Sequence, residues 1–75
     1  QENEILEYLM LSLRLKNGID TYHFKNKYKL DFEDLYLKKI KDYIKNDILI
    51  KKNTHYLLTE KGKLFANEVA NNFVK

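Results

Sequence analysis

The sequence contains no cysteine, no proline and no tryptophan, and only two glycines in 75 residues. Each absence closes a class of function. Without cysteine no disulfide can reinforce the core, and thiolate metal sites, iron–sulfur clusters and cysteine nucleophiles are excluded within these residues. The same absence agrees with a reducing compartment, and a cytoplasmic location is expected. With glycine confined to Gly18 and Gly62, no glycine-rich loop can cradle a phosphate. The longest apolar stretch, Leu9 to Leu15, is interrupted by Ser12 and Arg14 and is far too short to span a bilayer. Glu2 and Glu4 stand where the basic start of a secretory leader belongs, so none is expected.

What remains has the balance of a small globular domain: 44% apolar and 33% charged residues, with a net charge of +3. That is too apolar for a disordered segment. The charge permits an anionic or nucleic-acid partner without indicating one. The chain opens on Gln1 rather than methionine, and residues 1–75 are expected to be one domain excised from the C-terminus of a longer protein. A domain of this size buries only about 60% of the surface its unfolded chain exposes, so every apolar side chain counts.

Helical spacing of Ile5, Leu6, Leu9, Met10 and Leu13 predicts a first helix from Glu2 to Leu15. Tyr8, Leu11 and Leu15 widen its apolar stripe, so this helix is expected to be central or covered in part by something outside the domain. Asn17-Gly18 reads as a stop. Asp20 or Thr21 can cap a second helix to about Lys27, with Tyr22 and Phe24 offering bulk to the core. Asp31 can cap a third helix running to about Asn46 through Leu37, Ile40, Tyr43 and Ile44. Two short apolar runs, Ile48 to Ile50 and Tyr56 to Leu58, enclose a polar connection and predict a hairpin. Thr59 can cap a last helix carrying Phe65, Val69, Ala70 and Phe73 on one face. The expected class is therefore mainly α within α+β: a winged helix-turn-helix with three helices, a two-stranded hairpin and a C-terminal helix.

Catalytic chemistry finds no foothold. His23 and His55 are about thirty residues apart without ligand-like neighbours, whereas zinc needs three or four converging ligands. The carboxylates are scattered, and Ser12 is the only serine. No catalytic residue and no metal ligand is assigned. A DNA-binding winged-helix regulator is the alternative suggested by the layout. It meets three acids, Asp31, Glu33 and Asp34, at the part of the third helix that would enter the groove, where phosphates would repel them. Nucleic acid is therefore not the expected partner. Arg14 is the most informative single residue, because the other thirteen basic residues are all lysine. Its planar fork suits a bidentate carboxylate. That carboxylate is either internal, Asp20 or Glu68, or belongs to a ligand or a neighbouring domain. Arg14 and Asp20 are the candidate ligand or interdomain contacts.

The stretch from Glu7 to Asp20, with Met10, Leu13-Arg14-Leu15 and Gly18-Ile19-Asp20 followed by Phe24, resembles the opening of the C-terminal domain of oxygen-independent coproporphyrinogen III oxidases and their haem-chaperone paralogues. Leu58-Thr59-Glu60-Lys61-Gly62, followed by Asn67-Glu68-Val69 and Phe73, is similar to the closing helix of the same family. The chain departs from the family at two glycine positions: Lys29 follows Tyr28 before the third helix, and Asp47 precedes Ile48-Leu49. The wording around Arg14 is slightly closer to the haem-chaperone branch. The resemblance implies a parent radical S-adenosylmethionine protein of porphyrin biosynthesis or haem handling. Its N-terminal barrel would hold a 4Fe-4S cluster and S-adenosylmethionine, and its substrate or cargo would be a tetrapyrrole, coproporphyrinogen III or haem. By the same resemblance, this chain would be a non-catalytic accessory domain that packs on the barrel.

Overall fold

The computed structural model describes residues 2–73. Its elements run α1 (Glu2–Arg14), β1 (Ile19–Asp20), α2 (Thr21–Tyr28), α3 (Phe32–Leu35), α4 (Leu37–Lys45), β2 (Leu49–Lys52), β3 (His55–Leu58), α5 (Glu60–Lys63) and α6 (Ala66–Phe73). The class is the mainly helical α+β arrangement expected. The sheet is antiparallel, in the order β1-β3-β2. Leu49 lies opposite Leu58 and Lys52 opposite His55 across the hairpin, while Ile19 pairs with Tyr56.

Periodicity explains the core. Ile5, Leu9 and Leu13 recur at one-turn intervals on α1 and are buried against Val69, Ala70 and Phe73 of α6, with Phe24, Phe32, Ile40 and Leu49 completing the interior. Aromatic rings carry much of the packing: Phe32 lies within 5.3–5.7 Å of Phe24, Tyr36, Tyr56 and Phe73, at the tilted or edge-on angles that ring quadrupoles favour. Three helix starts, those of α2, α3 and α5, are capped by side chains. Asp20 accepts from the Tyr22 and His23 amides, Asp31 from Asp34, and Thr59 from Gly62, as N-caps do for otherwise orphaned donors.

Several details differ from the pattern-based expectation. A third strand, β1, is present; at two residues it is too short to leave a periodic signature. The third helix is interrupted at Tyr36, whose φ of −120° leaves the helical region as its ring packs against Phe32 and Phe73. The last helix is also in two pieces. After Gly62 the chain tightens into i→i−3 bonds, Leu64 to Lys61 and Phe65 to Gly62. Tyr22 is exposed rather than buried; residues 24 and 28 face inward, and position 22 lies on the far side of so short a helix. Ile44 and Phe65 are also exposed.

Candidate functional site

The first helix keeps an apolar flank outside the core. Leu11 and Leu15 are 65% and 63% exposed, and Leu64, beyond α5, is 77% exposed. Arg14 ends α1 and lies in sequence between Leu11 of the helix and Leu15 just beyond it. Its guanidinium donates to Asn67 Oδ1 of α6 at 2.5 Å. Arginine offers only donors, so the amide must turn its oxygen inward. The partner is thus a neutral group. Among the described residues, neither Asp20 nor Glu68 forms an ion pair with Arg14. Beside this contact an open cleft of about 320 Å³ is lined by Leu13, Arg14, Lys63, Leu64, Asn67 and Glu68, among others.

Asp20 is taken up by the fold. Its Oδ1 caps α2, 3.0 Å from the Tyr22 amide, and its Oδ2 lies 4.0 Å from His55 Nε2. The other ring nitrogen of His55 is 2.9 Å from the Asn17 carbonyl oxygen, so this imidazole ties the α1–β1 turn to β3. The structure does not bring Arg14 and Asp20 into contact. The second histidine, His23, stacks on Tyr8 with ring centres 5.5 Å apart, and burial pushes the Tyr8 hydroxyl pKa up.

A polar cluster that no local pattern announced links α3 to the hairpin. Glu33 accepts from Lys51 Nζ at 2.7 Å and from the Tyr56 hydroxyl at 2.5 Å. These two donors hold the Glu33 carboxyl below its ordinary value, the Lys51 bond weighing most. Burial, with the Glu33 charge beside it, pushes the Tyr56 hydroxyl well up. Partners eighteen and twenty-three residues apart leave no periodic trace. In the sequence these residues read only as an acid at a helix start and a lysine in a hairpin.

Among the described residues no group of three or more His, Asp or Glu side chains converges as a metal site. A 4Fe-4S cluster is held by thiolates, and the sequence has no cysteine; these residues do not fit that group. No helix among the described residues is long and apolar enough to cross a membrane.

The family described as the HemN C-terminal domain matches residues 1–65. This chain belongs to the HemN C-terminal domain family. A curated relative, the heme chaperone HemW of Lactococcus lactis subsp. lactis (strain IL1403), is 32% identical over 74 residues, covering 99% of this chain and 20% of that protein. The chain therefore spans about a fifth of that relative's length. No solved structure matches. Lys29 and Asp47 both adopt left-handed backbone, at φ 58° and 62°, as does Asn53 at φ 56°. Lys29 is the C-cap of α2, its amide bonded to the Lys25 carbonyl. At both Lys29 and Asp47 a side chain stands where glycine would be free of strain.

Proposed function

We propose that this chain serves as the non-catalytic C-terminal accessory domain of a radical S-adenosylmethionine protein of the coproporphyrinogen III oxidase and haem-chaperone type. In this reading its winged-helix layout packs against an N-terminal barrel in the cytoplasm and shapes the mouth of a tetrapyrrole site. The cluster and S-adenosylmethionine belong to the barrel. Similarity to a protein named as a heme chaperone favours haem handling over substrate oxidation.

The observation that carries the reading, beyond family membership, is the state of Arg14. It is the sole arginine in the sequence, stands on an open cleft, and among the described residues donates to a neutral amide. Four of its five N–H donors are left for a further acceptor. A tetrapyrrole carboxylate has the matching bidentate geometry. Arg14→Lys in the full-length protein removes the fork and keeps the charge. Haem affinity should fall about tenfold, the loss of one good charge-assisted contact. Unchanged affinity with normal folding would sink the assignment. The DNA-binding alternative is opposed by the charge layout: Asp31 and Asp34 are exposed at the start of α3, and Glu33 engages the wing lysine Lys51.

A further inference from the structure

We infer that the flank of α1 bearing Leu11 and Leu15, with Leu64 and the Arg14 cleft, is the surface through which this domain docks onto the preceding part of its own parent chain. The inference rests on the accessory-domain reading and names the face that reading leaves open. Leu11 and Leu15 lie one turn apart, opposite the buried Ile5, Leu9 and Leu13 stripe, and remain exposed among the described residues. Scattered surface leucines need no explanation, but Leu64 lines the open cleft and Leu11 and Leu15 flank its Arg14 in the sequence, a grouping with the character of an interface core. The cleft joins α1 to α6 and the 64 position, making one surface of two sequence-distant segments.

The occupant follows from size and charge. The matched relative devotes about four-fifths of its length to something other than this domain, and in a chain of that form the covering surface is tethered beside the patch. Tethering makes docking intramolecular, so a modest apolar patch suffices. Arg14 and the exposed Lys16 have no carboxylate partner among the described residues, and Lys63 reaches Glu60 only at 3.5 Å. The fitting partner surface is therefore apolar at its centre and carries at least one carboxylate at its rim, opposite Lys16, with the Arg14 fork left at the seam for the tetrapyrrole. The competing face, with Leu35, Leu37 and Ile44, is only about half exposed at each residue. It is interleaved with Lys38, Lys41 and Lys45 on α4, a pattern suited to water.

The thirteen lysines supply their own reporters. Brief acylation of the native full-length protein, read by mass spectrometry, should label Lys16 and Lys63 about tenfold more slowly than Lys41 and Lys45, the contrast expected between covered and free amines. In the Leu11→Ser, Leu15→Ser double variant, whose sites are exposed and tolerant, Lys16 and Lys63 should regain the rate of Lys41. Protection of Lys41 and Lys45 instead would overturn the choice of face and leave the accessory-domain reading standing. Equal labelling on every face would overturn docking itself, and with it that reading. Protection of Lys16 and Lys63 that disappears on dilution would assign the patch to a second copy and overturn the intramolecular assignment, as would protection that survives the double substitution.

Discussion

Replacing Gly62 with alanine separates a packing explanation from a propensity explanation by the sign of its effect. Gly62 sits inside α5 with ordinary helical φ, so propensity alone favours alanine by about 1 kcal/mol. The structure opposes this. A Cβ at position 62 would lie 2.2 Å from the Ile48 carbonyl oxygen, 3.1 Å from its carbon and 3.1 Å from Leu58 Cδ2. The first obstacle is backbone, not a flexible side-chain tip. That oxygen also accepts the Thr59 amide at 2.9 Å, at the junction where β3 gives way to α5. Moving α5 outward loosens that bond, worth about 1 kcal/mol, and adds an overpacking penalty of about 1–3 kcal/mol. Subtracting the propensity gain leaves a net destabilisation of about 1–3 kcal/mol. For a domain of this length each kcal/mol moves the midpoint by about 4–8 °C, so Tm should fall by about 10 °C. Thermal unfolding followed by circular dichroism reads this directly, with exposed Lys63→Ala as the control that should stay near wild type. A Gly62→Ala chain that melts at or above the wild-type temperature would refute the close approach of α5 to Ile48.

The left-handed residues give the opposite sign: Lys29→Gly and Asp47→Gly should each raise stability by about 0.5–1 kcal/mol by relieving Cβ strain, seen as a higher denaturant midpoint with unchanged slope. Because the Glu33 carboxyl is held below its ordinary value of 4.5, its contribution is present above that pH and lost as pH falls through the folded value. Glu33→Gln should therefore flatten the acid limb of a stability–pH curve, while at neutral pH this partly exposed pair contributes no more than about 1 kcal/mol. Thr59→Ala removes the cap on Gly62 and the donor to the Asp47 carbonyl, and urea unfolding should show a loss of about 1–2 kcal/mol. Arg14→Lys, at an exposed position, should leave stability within about 0.5 kcal/mol of wild type, so that any change in haem affinity is not a folding effect.

Elements with a sustained period were legible in the sequence: the buried stripe of α1, the hairpin, and the Asp20, Asp31 and Thr59 caps all lie where pattern and capping chemistry place them. The break at Tyr36 was not, because an aromatic ring turning toward Phe73 is decided by tertiary packing and leaves the 3.6-residue repeat almost undisturbed. The strand β1 gains its identity only from Tyr56 and His55, thirty-five and more residues on. Of the candidate site, the uncovered flank of α1 could be foreseen from a stripe wider than one partner can bury. The choice between an internal and an external partner for Arg14 could not. Asn67 is an amide, and a search for opposite charge passes over it. Glu33 was foreseen only as a repulsive acid; its role in tying Lys51 and Tyr56 to α3 depends on contacts across the fold.

The family match ends at residue 65, yet α6 begins at Ala66 and places Val69, Ala70 and Phe73 in the core with 2% exposure or less. A family boundary and a folding boundary are therefore different things here. A chain stopped at residue 65 would strip the cover from Leu9 and Leu13 and lose the Phe73 ring that Phe32, Tyr36 and Tyr43 surround, while keeping every residue that the family match covers. During synthesis the same dependence holds: α1 emerges before α6, so its inward face stays uncovered until α6 has been made and can reach it.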